Sequence, residues 1–295
     1  MDNVTLRKCF GSQAEILIPV IDEVIKSSLH FEYSFLSLKK YQSFIENGAS
    51  LNDINRIYWE EMLDRLHLAS VASIRRNYGW MKSVALMKSA GEITGYAAAL
   101  RSLIEASADS AYSIIPALNT YTREYKAICA AILGQANETI YASPKMEGLL
   151  INFTHGRKTN KEENAPDSHK AKQSFEYINM LRDDAGVTGI RELNEFLNGI
   201  VHPAANSVFF QLSRSDLDDY EVYKFTETAE FNAIQIIEQE YDVVIKGLPS
   251  LCLEPALITI RALHKIRRYP TVHSLRKVEF QQEKLWSKIQ NLIGL

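Results

Sequence analysis

Two short stretches of the chain combine residue types that could do chemistry: Arg101 with Glu105, and Asn198 with His202. Each pair is spaced four residues apart inside an apolar segment, Gly95–Ala106 in one case and Leu197–Pro203 in the other. On a helix that spacing stacks the two side chains one turn apart. Asn198 and His202 can then share a ligand or bond to each other. Arg101 followed by Glu105 is the weaker order for an isolated helical ion pair, so a buried pair would serve to orient Arg101 toward a third group.

The elements that must hold these residues read as amphipathic helices. Arg191, Glu195, Asn198 and His202 fall at i, i+4, i+7 and i+11 of one segment, opposite Ile190, Leu193, Leu197, Ile200 and Val201. Arg191 and His202 are three turns apart, about 16 Å along a helix axis, too far to work on one atom within one chain. In the other segment Asp109 and Tyr112 continue the side of Arg101 and Glu105, opposite Leu100, Leu103, Ile104, Ala111 and Ile114. The bland alternative is that both stripes are solvated faces and that His202 merely closes its helix before Pro203.

The same periodicity runs through the chain. Ser12-Gln-Ala-Glu15 has the form of a capping box and predicts a helix from there toward Asn47-Gly48. Further helices are expected over about 50–87, 93–115 (stopping before Pro116), 120–141, 144–153, 171–184, 189–202, 226–245, 255–268 and 273–293. His155–His169 is polar and aperiodic and reads as a long exposed loop, Ser207–Leu212 cannot be assigned, and Asp216–Glu221 reads as an acidic connector. The expected class is an all-α, multi-helix bundle. It is read as a single helical domain over 1–295, with a core over about 91–247 and C-terminal helices over 250–295 that could be semi-independent.

Composition narrows the field. A net charge of −3 gives no global pull toward nucleic acid or anionic membrane, so any polyanion site must be a local patch. Three scattered cysteines argue against a disulfide framework and a structural zinc site. With no leader-like start and no run of about 20 apolar residues, the expectation is a cytoplasmic protein without a membrane partner.

An Arg-x-x-x-Glu helix, a long polar insertion and a helix ending in Asn-x-x-x-His-Pro resemble the HEPN superfamily (higher eukaryotes and prokaryotes nucleotide-binding domains), closest to its abortive-infection and toxin-like branch. The resemblance covers about Gly95 to Leu212. It implies an α-helical bundle and, in many members, a metal-independent ribonuclease that acts as a dimer. Asn198 and His202 match the family's polar residue and catalytic histidine, whereas Leu197 stands where the motif has arginine. The implied chemistry needs proton transfer at the ribose 2′-hydroxyl and at the leaving 5′-oxygen, with a cation on the phosphorane. Histidine suits the first requirement. Arg101, held by Glu105, could supply the second, and Arg191 of a dimer partner is the other candidate. If neither reaches, the alternative is a catalytically inactive helical interaction or scaffolding module that binds a protein partner; the partners expected of the active form are RNA and a second copy of the chain, or a protein that regulates it.

Other constellations weigh less. No Glu-x-x-His is present for a di-iron bundle, and Asp64-x-x-His67 reads as a surface hydrogen bond. There is no phosphate-binding glycine loop and no nucleophile elbow, so no metal or cofactor is expected. The basic stretch Arg261–Lys277, with Arg267 and Arg268, could track a phosphate backbone while Tyr269 stacks on a base, or could simply be a solvated face. Arg157 and Lys158 in the long loop admit the same two readings.

Overall fold

A computed structural model of the chain describes residues 3–160, 163–185 and 188–294. Among the described residues it is an all-α multi-helix bundle with twelve α-helices and one two-stranded hairpin. The chain divides into two compact units, each gathered from three stretches. The first is Met1–Pro19, Arg75–Asp109 and Gln173–Leu253; the second is Val20–Ile74, Ser110–Lys172 and Glu254–Leu295.

Helix α1 spans Asn3–Ser27 and breaks at Gly11, whose φ of 75° suits a residue without a Cβ. The break lies directly before Ser12, where the capping box predicts a helix start. The predicted run to Asn47 does not continue. It stops at Ser27, and a separate α2, Leu38–Glu46, begins under the Ser37 hydroxyl, which accepts from the Lys40 amide at 3.3 Å. Helix α3, Leu51–Ala90, starts at the expected Ser50, whose hydroxyl accepts from the Asp53 amide.

Helix α4, Ile93–Arg123, passes through Pro116 instead of stopping before it. Proline removes one backbone bond, but buried Ile114, Ala117 and Leu118 carry the apolar face past it. The predicted 120–141 helix shrinks to α5, Tyr125–Ile132, and α6 covers Pro144–His155. The polar loop is tied by an isolated bridge between Arg157 and Lys170 and by a 3₁₀ turn at Asp167–His169. Next come α7 (Ser174–Ala185), α8 (Ile190–Val201) and the single turn α9 (Ala205–Phe209).

The unassigned run Ser207–Leu212 divides: residues 207–209 belong to α9, and Leu212 opens a hairpin that takes in the acidic connector, β1 Leu212–Leu217 and β2 Tyr220–Phe225, in antiparallel register with Leu217 opposite Tyr220. Its two-residue turn uses Asp218 at φ 49°, a conformation that aspartate tolerates better than most residues. Helices α10 (Ala229–Glu240), α11 (Asp242–Leu263) and α12 (Glu283–Ile293) complete the chain. Asp242–Ile266 is long and apolar enough, by length and composition alone, to cross a membrane, and 72% of its most apolar window is buried.

Candidate functional site

The first unit supplies both halves of the candidate site. On α4, Leu100, Leu103 and Ile104 are fully buried, which fixes the helix rotation and leaves Arg101 and Glu105 at the margin of the core. On α8, Leu193, Leu197 and Ile200 play the same part, and Leu197, in the position of the motif arginine, has no exposed surface. Pro203 disfavours helical backbone at the residue before it. His202 accordingly leaves the helix with φ −88° and ψ 155°, while its amide still donates to the Asn198 carbonyl at 3.0 Å.

These constraints bring Arg101 and His202 together across 101 residues of sequence, with Nη1 of the guanidinium 3.3 Å from Nε2 of the imidazole. Arginine carries donors only, so a hydrogen bond at this contact requires Nε2 as its acceptor. Glu105 takes the other side of the guanidinium, its Oε1 lying 3.0 Å from both Nε and Nη2. Five N–H groups project from a guanidinium. Three are engaged here, and one hydrogen on each terminal nitrogen is left. Those two donors are available to a phosphate, the anion arginine favours.

Asn198 lies one turn before His202, and among the described residues its buried Oδ1 has no partner. Asn194, a further turn back, is 7% exposed and also leaves Oδ1 unpartnered. The column Asn194–Asn198–His202 escaped the sequence reading, which followed the i, i+4, i+7, i+11 stripe through Arg191 and Glu195. The signal was the i, i+4, i+8 recurrence itself. Buried amide oxygens without partners are uncommon and call for an explanation. A ligand N–H or O–H is one.

A second ion pair continues the α4 stripe. Asp109, one turn beyond Glu105, meets Arg76 of α3 at 2.7 Å, and the same guanidinium donates to the Ala106 carbonyl. Burial pushes the Asp109 carboxyl up despite the arginine beside it. Asp109 lay on the predicted stripe; Arg76 did not.

The remaining candidates are elsewhere. Arg191 pairs with Glu195 at 2.7 Å on the exposed side of α8. In the second unit Arg157 pairs with Glu163, Lys158 is exposed, and exposed Arg267 has φ 56°. Arg268 donates from Nε and Nη2 to the two oxygens of Asp64, and its Nη1 lies 3.5 Å from Glu60. Tyr269 is buried, donates to Asp64 at 3.0 Å and stacks on His67 at 4.2 Å, so its ring is not offered to a base. Asp64 and His67 are 5% and 2% exposed, a buried centre where the sequence suggested a surface bond. Among the described residues no group of three or more His, Cys, Asp or Glu side chains could hold a metal ion.

Comparison of the chain with models of protein families, with curated proteins and with solved structures finds no match.

Proposed function

We propose that the chain is a HEPN-like protein that acts on RNA, as a metal-independent endoribonuclease of bacterial defence. The observation that carries this reading is the 3.3 Å approach of Arg101 to His202. It brings a permanent cation beside a proton-transfer group, although the motif's own arginine position holds a buried leucine. In the reaction the ribose 2′-oxygen bonds to phosphorus and the bond to the 5′-oxygen breaks, leaving a 2′,3′-cyclic phosphate and a 5′-hydroxyl. His202 takes the 2′-hydroxyl proton at Nε2 once a substrate displaces the arginine from that lone pair. Arg101, steadied by Glu105, then holds the charge that builds on the phosphoryl oxygens. The proton for the leaving oxygen comes from a second copy, because the site offers one histidine, so the active form in this reading is a homodimer.

The test is incubation with total RNA. His202→Ala is expected to lower cleavage by about 10²- to 10⁴-fold, the usual contribution of a positioned acid or base. Arg101→Lys should recover only part of what Arg101→Ala loses, because an ammonium cannot hold Glu105 and a phosphate at once. Cleavage that is equal in wild type and His202→Ala, or absent under every condition, removes the nuclease reading. The fully buried Leu197 favours a second one, a non-catalytic module whose polar residues bind a protein partner. A partner captured equally well by Arg101→Ala would also count against that module's using this site.

A further inference from the structure

The second unit contains a cleft that the RNA reading does not use. The segment Ser34–Lys40 lies along α3 and encloses a hollow of about 630 Å³, within the range of small-molecule sites. A smaller hollow of about 230 Å³ adjoins it and shares Leu36 and Glu61 as lining. The smaller one is lined by Leu36, Leu38 and Met62, by Tyr41 and Tyr58, by the carboxylates Glu61 and Glu147, and by Arg65 as its one cation.

The charges in this cleft are unevenly satisfied. Arg268 is committed to Asp64 and Glu60, and the Arg65 guanidinium lies over the Phe35 ring at 4.2 Å. Among the described residues Glu61 uses Oε1 to accept from the Leu36 amide at 2.6 Å and has no hydrogen-bond partner at Oε2, and Glu147 receives one side-chain bond, from Tyr58 at Oε2 at 3.3 Å. Burial, helped by repulsion from Asp64 and Glu147, outweighs the Leu36 amide and the Arg65 charge and holds the Glu61 carboxyl above its ordinary range. Beside these acids Leu36 and Leu38 stand 37% and 73% exposed, an apolar strip open to solvent. Two carboxylates, methylene-compatible surface and tyrosine rings lining one hollow are what a flexible alkylammonium requires.

We infer that the adjoining hollows form a binding site for a linear aliphatic diamine or polyamine, with one ammonium on Glu61, a second on Glu147 and the methylene chain along Leu36, Leu38 and Met62. Nothing in this site depends on the Arg101–His202 chemistry, so either can fail alone.

The experiment is calorimetric titration of the full chain with 1,4-diaminobutane, 1-aminobutane and inorganic phosphate. The diamine should bind saturably and at least about tenfold more tightly than the monoamine, since one ion pair in a half-buried site is worth about that factor. Glu147→Gln should erase the difference between the two amines, and Glu61→Gln should weaken both about tenfold or more. Leu38→Lys sets a like charge beside the ammonium at an exposed position where folding is not at stake, and should abolish diamine binding. The proposal is overturned by no diamine binding up to about 10 mM, by equal affinity for the two amines, by wild-type affinity in Leu38→Lys, or by phosphate binding in their place.

Discussion

At the scale of single residues, the clearest energetic statement concerns His67. Its ring is stacked on Tyr269, touched by Phe31 and bonded through Nδ1 to the Tyr33 hydroxyl at 2.6 Å. Burial first, and His264 second, push its pKa down to about 3, so the folded chain keeps the imidazole neutral. An unfolded histidine titrates near 6.5. As pH falls below that value the unfolded chain takes up a proton that the folded one refuses. The contribution is complete above about 6.5 and is lost as pH falls toward 3, at about 1.4 kcal/mol per pH unit. His67→Phe keeps the stacking and removes the titration. Its midpoint in urea should fall less steeply than wild type between pH 6.5 and 4.5; parallel profiles would disprove the assignment. Sequence spacing named Asp64 and His67 as a pair but could not tell that both are sealed. Their burial comes from Tyr33 and Tyr269, 34 and 202 residues from His67 in sequence. Residue spacing made the Arg101–His202 contact legible only as two separate i, i+4 pairs, because nothing local in either helix encodes their meeting; the family resemblance alone suggested that Arg101 could serve His202.

At the scale of elements, the helices that sequence periodicity marked are largely present, and the departures have local causes. The capping box at Ser12 signalled a boundary, and the boundary is there, realised as a break inside a helix that begins earlier. Gly11 makes this possible at φ 75°, and a Cβ built on it would lie 3.4 Å from the Lys246 side chain. Gly11→Ala should therefore cost about 1–3 kcal/mol, chiefly because φ 75° with ψ −169° is backbone essentially reserved for glycine. A thermal melt should show it as a fall of a few degrees, and an unchanged midpoint would mean that the two pieces of α1 can merge. Pro116 misled in the opposite direction, because a buried apolar face on both sides outweighs one missing bond. The hairpin was hidden because its turn is Asp-Asp rather than Asn-Gly and its strands, with burial confined to Leu212, Ser213 and Val222 at an intermediate level, alternate too weakly to read as strands.

At the scale of the molecule, the C-terminal 46 residues, 250–295, pose the sharpest question, because sequence pattern suggests that they could stand semi-independently. Residues 250–253 fall in the first unit, and the side chains from Glu254 onward argue for integration into the second. Leu257, Ile258, Leu263, Leu275 and Ile289 have no exposed surface. Arg268 and Tyr269 satisfy the buried carboxylate of Asp64, and the Ala262 carbonyl receives the Tyr121 hydroxyl at 3.3 Å. Within the segment, Glu254, itself fully buried, accepts from the Gln281 and Gln282 amides at 3.1 and 2.8 Å. Removing these residues would strip apolar cover worth about 1.5–3 kcal/mol for each fully buried aliphatic side chain. It would also leave Asp64 buried without its cation, a loss of several kcal/mol where the pair is sealed and less where Arg268 meets solvent. Total stabilities of single domains are only about 5–15 kcal/mol. A chain ending at Pro249 should therefore lose its near-ultraviolet circular dichroism and expose apolar surface to a dye such as ANS while keeping helical signal. If it instead keeps native near-ultraviolet bands and a cooperative melt, residues 250–295 are an appendage, and the second unit closes its core without them.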